Sequence, residues 1–304
     1  MSLPAISVVG ATATGKSELA IGLARALGGE IINADAMQFY RGMDIGTAKL
    51  APHERGGVPH HLIDILDVRE EATVQAFQAA ARAHIADIRE RGGVPILVGG
   101  SGLYVRAATD DIAFPGTDPA LRARLEAIAA TGGAAPMHAQ LSELDPAAAA
   151  KIAPADARRI VRALEVIALT GEEFSATLPA YRSAVPAVQL GLALERPALH
   201  GRIAGRVRRM WGAGWVDEVR GLRRLGLEEG RTAPRAIGYA QILAHLDGRL
   251  SPEEAQELTT VRTRQFAKRQ ETWFRRDPRI RWLPADDPGL LPAALAAICA
   301  AAGE

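Results

Sequence analysis

Two patterns of apolar residues divide the chain. Short, mostly apolar runs at Ala5 to Val9, Val94 to Val98 and Val188 to Leu194 have the length and branched content of strands buried on both faces. Apolar residues at three- and four-residue spacing over Glu18 to Leu27 and Val74 to Arg91 predict helices packed against those strands. Glu30 to Asp35 predicts a further short strand that ends on a carboxylate. Strands separated by helices predict a parallel α/β sheet.

From Pro115 to about Pro186 the regime changes to helices alone. The spacing predicts helices over Asp118 to Ala130, Met137 to Leu144, Asp145 to Ile152 and Asp156 to Thr170. Gly132, Gly133, Pro136, Pro179 and Pro186 punctuate this stretch, which contains no candidate for a parallel strand. Residues 115–186 therefore form a predicted helical insertion, and residues 1–114 with 187–304 form the α/β core and its C-terminal helices. Beyond Pro197 a long helix through Trp211 is expected, then Trp215 to Leu225, then a helix opening at Arg235 to Ala240. Ser251 with Glu254 spells a capping box for a helix through Phe274. Arg279 to Leu283 and Pro288 to Ala302 read as a last strand and a closing helix.

The chemistry is concentrated where strands end. After the first apolar run comes Gly10-Ala11-Thr12-Ala13-Thr14-Gly15-Lys16-Ser17, the G-x-x-x-x-G-K-[ST] pattern in its strand–loop–helix setting. Successive N–H groups and a helix N-terminus make such a loop a polyphosphate cradle. Lys16 adds a full charge, and the Ser17 hydroxyl is placed to meet a magnesium ion. Asp35, at the end of its strand, is placed to face whatever the loop holds. The lesser alternatives for it, on position alone, are a helix N-cap and a magnesium-associated acid. Gly99-Gly100-Ser101-Gly102 forms a second glycine turn, where Ser101 reads either as a phosphate donor or as a helix N-cap. Gln38 to Lys49 is a polar, glycine-rich stretch without clear periodicity, expected to be a surface loop that carries function. His60 and His61 are adjacent and lack an evident third ligand, so a structural role is expected for them.

Composition narrows the class. Hydrophobic residues at 48% and charged residues at 23% describe a globular protein, and 304 residues suffice for one or two domains. The single cysteine, Cys299, leaves no disulfide framework or multi-cysteine zinc site, which fits a reducing compartment. With no long apolar span and no signal-like N-terminus, the cytoplasm is the expected location. The net charge is only +1, but arginines crowd two stretches, Arg202 to Arg235 and Arg262 to Arg281. Such clusters point to a polyanionic partner.

These segments taken together resemble the bacterial tRNA dimethylallyltransferases. The matching residues are Gly10 to Ser17, Ile32 to Asp35 with Gln38 and Tyr40, Gly42 to Lys49, Pro59 to Asp64 and Leu97 to Gly100. They continue with Arg159, Arg162 to Val166, Arg202, Ile203 and Arg206, then Gly238 and Tyr239, Ala267 to Gln270 and Thr272 to Arg275. Gly42 to Lys49 and Ala267 to Arg275 are the selective parts, since many nucleotide-binding families share the phosphate loop. Three positions depart from the usual family pattern. Ser101 replaces a threonine but keeps the hydroxyl, Ala36 replaces a serine, and Ala240 replaces a longer polar residue.

The resemblance implies a P-loop NTPase-like parallel sheet flanked by helices. It implies transfer of a dimethylallyl group from dimethylallyl diphosphate to N6 of adenosine 37, next to the tRNA anticodon. The phosphate loop, Gly10 to Ser17, would then hold the prenyl diphosphate, with Arg206. Asp35 would act as general base, with Lys16, Ser101 and Arg206 stabilising the leaving group and Mg2+ entering through Ser17. The anticodon stem-loop would be gripped by Asp35, Ala36, Met37, Gln38, Ser101, Arg122, Arg158, Arg159, Arg162, Arg235, Gly238, Tyr239, Lys268, Arg269 and Gln270. A single chain is the expected working unit. The rival readings are a P-loop small-molecule kinase, which predicts an adenine pocket, and an adenylate isopentenyltransferase, which needs no helical insertion. A nucleic-acid-binding switch protein would leave Asp35 without chemistry.

Overall fold

A computed structural model describes residues 3–174 and 181–302; Pro179 lies outside them. Six parallel strands form one sheet in the order β3-β2-β4-β1-β5-β6. They are β1 (Ala5–Gly10), β2 (Gly29–Asn33), β3 (His60–His61), β4 (Val94–Gly99), β5 (Ala187–Ala193) and β6 (Ile280–Pro284). β1 and β4 are buried along their whole length, as their mostly apolar character requires at the centre of a sheet covered on both faces. Pro95 is tolerated in β4 because the pairing with β1 starts one residue later, at Ile6 and Ile96.

The chain divides into two compact units, residues 1–109 with 183–304, and residues 110–182. In the first unit the helices are α1 (Lys16–Leu27), α2 (Val74–Glu90) and α3 (Gly102–Thr109), followed after the insertion by α8 (Arg196–Gly212), α9 (Trp215–Arg224), α10 (Tyr239–Leu246), α11 (Pro252–Phe274) and α12 (Leu290–Ala302). Ile6, Val8, Leu23, Ile96 and Leu190 form the core between the sheet and its helices. The capping box that opens α11 is present. The Glu254 N–H donates to Ser251 Oγ at 3.1 Å, and the Ser251 N–H to Glu254 Oε2 at 2.7 Å.

The second unit holds α4 (Pro119–Gly132), α5 (Ala134–Leu144), α6 (Pro146–Ala149) and α7 (Ala157–Thr170), with no strand among its described residues. Its core is built on Met137, Leu141, Ile160, Val161 and Leu164.

Two local expectations are corrected. The helix expected from Arg235 starts at Tyr239, after a 3-10 turn over Ala233–Arg235. Gly238 interrupts it because the backbone takes φ 91° against the Trp215 ring, where a β-carbon would overlap the indole. Asp35 is followed by a 3-10 turn, Ala36–Phe39, whose last two residues open the stretch from Gln38 that reads in the sequence as a loop. His60 and His61 form the edge strand, where His61 Nε2 meets Glu30 Oε2 at 2.6 Å. Hydrogen bonding from Arg91 is the main cause that lowers the Glu30 carboxyl to about 2. No cluster of three or more His, Cys, Asp or Glu side chains suited to a metal occurs among the described residues.

Candidate active site

The phosphate loop leaves β1 at Gly10 and enters α1 at Lys16. Gly10 has φ 140°, and a β-carbon there would stand 2.7 Å from the Leu192 carbonyl of β5, so only glycine lets the central strand turn this close to its neighbour. Ala13 takes φ 65° and Gly15 φ 90°, the left-handed steps that turn successive N–H groups to one side as an anion-binding concavity. Thr14 Oγ1 donates to the Ala11 carbonyl at 2.9 Å and fastens the loop from within. Ser17 is exposed in the first turn of α1.

Three ionisable groups act on one another at this end of the sheet. Lys16 Nζ donates to the Ala11 carbonyl at 2.6 Å. Burial, then the charge of Arg206, lowers its pKa to about 8, and Asp35 works in the opposite direction. Burial raises the pKa of Asp35 above the usual carboxylate value. The Met37 N–H, which donates to Asp35 Oδ1 at 3.0 Å, and the charges of Lys16 and Arg206 offset only part of that rise. Arg206 reaches the loop from α8 and donates through Nη1 to Thr12 Oγ1 at 3.3 Å. Asp35 therefore fulfils the helix-cap reading and also faces two cations.

The second glycine turn lies beside the first. β1 and β4 pair from Ile6 and Ile96 to Val9 and Gly99, so their carboxyl ends emerge together, with Ser101 half-buried just beyond. Gln270 of α11 joins the two turns. The Thr12 N–H donates to Gln270 Oε1 at 2.8 Å, and Gln270 Nε2 donates to the Gly100 carbonyl at 2.9 Å. Gln270 is 6% exposed. The structure thus gives it a use that its place among the tRNA-facing residues did not suggest.

The loop Gly42 to Lys49 is tightly held rather than irregular. Lys49 pairs with Asp44 and Asp64, each at 2.6 Å, and donates to the Tyr40 carbonyl at 2.9 Å. The Glu218 carboxylate accepts the N–H groups of Asp44 and Ile45 at 3.0 and 2.6 Å, and the Tyr239 hydroxyl at 2.6 Å. Gln38 Nε2 donates to the Thr47 carbonyl at 3.1 Å. Tyr239 and Gly238 are consequently buried packing partners of Trp215, not surface groups. The sequence reading missed Glu218. It sits in an amphipathic, charged helix where nothing separates a loop-binding acid from a solvated one.

Between this loop and α8 lies an open depression of about 510 Å³, where Ile45, Ala48, Met210 and Ala213 stand beside the charged Asp44, Lys49, Arg206 and Arg209. Its apolar wall beside a guanidinium suits a short hydrocarbon joined to an anionic group.

The remaining candidates fall into two sets. Arg235, Lys268 and Arg269 are exposed in the first unit, and Ala36 and Met37 are half-buried near Asp35. In the second unit Arg158 and Arg159 are exposed, whereas Arg122 and Arg162 are bound to the fully buried Glu165 carboxylate. Arg162 Nη1 lies 2.8 Å from Glu165 Oε2, and its Nη2 donates to the Pro115 carbonyl at 2.8 Å. These two arginines bind within their own unit through the same donors that a phosphate contact would need.

A glycine-loop phosphate cradle on a parallel sheet, with an acid and two cations at the strand ends, defines an α/β protein of the P-loop class. The family model described as IPP transferase matches residues 38–277, and the chain belongs to that family. It is 60% identical over 292 residues to the tRNA dimethylallyltransferase of Kineococcus radiotolerans, covering 94% of this chain and 92% of the relative. It is 58% identical over 299 residues to that of Thermobifida fusca, covering 97% and 94%. The solved tRNA isopentenylpyrophosphate transferase of Bacillus halodurans superposes with a TM-score of 0.73 at 39% identity, covering 99% of this chain and 98% of that one. A eukaryotic dimethylallyltransferase acting on tRNA superposes with a TM-score of 0.81 at 30% identity, covering 97% of this chain and 77% of that one.

Proposed function

We propose that this enzyme transfers a dimethylallyl group from its diphosphate to N6 of the adenosine at position 37 of tRNA. The observation that carries the reading is the mutual electrostatic influence of Asp35, Lys16 and Arg206 beside the phosphate loop. In the reaction the allylic C–O bond breaks, the N6–C bond forms, the N6 proton passes to a base and diphosphate departs. Charge builds on the leaving oxygen, and donors already aimed at it lower the barrier. Lys16, Arg206 and the loop N–H groups supply such donors, and Ser101 adds a hydroxyl at the adjoining turn. Asp35 takes the proton from the weakly nucleophilic amine, and its raised pKa makes it a stronger base than an exposed aspartate.

The apolar side of the 510 Å³ depression suits the prenyl chain, and the exposed Arg235, Lys268 and Arg269 suit an RNA backbone. The adenine must leave the stack to reach the site, which costs least in a single-stranded loop. Magnesium fits the exposed Ser17 hydroxyl. This ion commonly takes most of its oxygen ligands from phosphates and water and few from the protein. Bound there, it would neutralise part of the leaving group's charge. No helix among the described residues is long and apolar enough to cross a membrane. The cytoplasm is the proposed compartment, with a single chain as the working unit.

The test mixes the protein with magnesium, unmodified tRNA and isotopically labelled dimethylallyl diphosphate, with ATP offered in parallel. Label is expected on an anticodon-loop adenosine, and Asp35→Asn should lower kcat by about 10²–10⁴-fold while tRNA binding persists. Label on AMP or ADP, or phosphate transfer from ATP, would refute the assignment. Unchanged turnover in Asp35→Asn would remove Asp35 as the base.

A further inference from the structure

We propose that Gln270 limits the phosphate loop to two phosphates and closes it to a third. This rests on the reading that the loop holds a prenyl diphosphate. The N–H groups nearest the start of α1 serve the phosphates at the helix end of the cradle. A longer polyphosphate must continue along the loop toward Thr12. There the backbone donor is already spent. The Thr12 N–H donates to Gln270 Oε1 at 2.8 Å, and the Thr12 hydroxyl accepts from Arg206 at 3.3 Å.

The Gln270 carboxamide is fixed in that orientation by its other end. Nε2 donates to the Gly100 carbonyl at 2.9 Å, so flipping the amide would face donor with donor at Thr12 and acceptor with acceptor at Gly100. Its position is fixed as well. Ala267, Gln270 and Phe274 are the buried positions of this stretch of α11, and Gly100 leaves the amide its room, since a β-carbon there would overlap Nε2. A triphosphate would therefore meet a carbonyl oxygen where it needs an N–H, in a half-buried site where an unpaired charge is costly. The side chain selects between donors by consuming one member of an otherwise general phosphate loop.

The experiment compares inorganic diphosphate with inorganic tripolyphosphate as magnesium-dependent inhibitors of prenyl transfer. It uses the full chain as wild type, Gln270→Ala and Gln270→Met. The alanine removes the carboxamide and its bulk; the methionine keeps the packing of α11 and removes only the carboxamide, both the acceptor at Thr12 and the donor to Gly100. The ratio of the tripolyphosphate to the diphosphate inhibition constant should fall by about tenfold or more in both variants as the Thr12 N–H is freed. Thermal melting confirms that each variant is folded, and either alone suffices if the other is not. General damage to the loop would weaken both anions in parallel and leave the ratio at the wild-type value. That result would overturn the role of Gln270 while the diphosphate reading stands. Failure of diphosphate to inhibit the wild type at all would overturn both.

Discussion

Lys16 makes the proposed site measurable before any chemistry occurs. Its ammonium is buried beside Arg206 and has a pKa of about 8, against an ordinary value of 10.5. At pH 8 about half of the free protein therefore carries a neutral Lys16, at pH 9 about nine-tenths and at pH 7 about one-tenth. A bound diphosphate supplies the negative charge that restores the ammonium. Binding should then take up about those fractions of a proton, and the affinity should be flat below pH 8 and fall toward about tenfold per pH unit above it. The ligand contributes little in this window, because a phosphate monoester loses its last proton near pH ~6. Calorimetric titration with dimethylallyl diphosphate and magnesium, without tRNA, in two buffers of different ionisation enthalpy reads the proton count directly. Arg206→Gln should move the break in affinity to higher pH by removing a repelling charge, and Asp35→Asn should move it lower by removing an attracting one. An affinity flat from pH 7 to pH 9, with no proton uptake at the upper end, would refute the electrostatic coupling inferred for these three residues.

Two further outcomes concern parts of the fold away from the reacting atoms. Glu165→Gln removes the charge that holds Arg122 and Arg162, and should destabilise the helical unit by about 2–4 kcal/mol in denaturant titration. The same contribution should fade with acid. Burial works to raise the Glu165 pKa, but the two guanidiniums outweigh it and hold the value below the ordinary one, so stability is lost as pH falls through that depressed value. A denaturation midpoint unchanged by the substitution would show that the ion pairs contribute nothing. Gly238→Ala places a β-carbon into the Trp215 ring at a positive φ and should lower stability by about 2 kcal/mol or more, read as a lower melting temperature. A variant that melts with the wild type would refute the packing account of this glycine.

Elements whose evidence is local are legible in the chain before it folds. β1, β4 and β5 follow from short, mostly apolar runs suited to the inside of a sheet, and the phosphate loop from fixed spacing between a strand and a helix. The capping box before α11 and the helical character of the insertion follow from the same kind of local rule. Asp35 and Lys16 could be named as candidates because strand ends and the spacing of the phosphate loop are visible in one dimension, and Arg206 through the resemblance to the family. What tertiary structure decided is how polar groups separated by long stretches of chain satisfy one another. Gln270 meets Thr12 and Gly100, Glu218 meets the backbone of Asp44 and Ile45, and Arg122 meets Glu165. None of these pairings has a sequence signal, because an amide or carboxylate on a helix reads the same whether it faces water or a partner. Folding separates the cases. Burial removes water as the alternative partner, so a group such as Gln270 must bind the loop it is pressed against, and a group such as Lys268, two positions earlier on the same helix, remains exposed and available to a ligand.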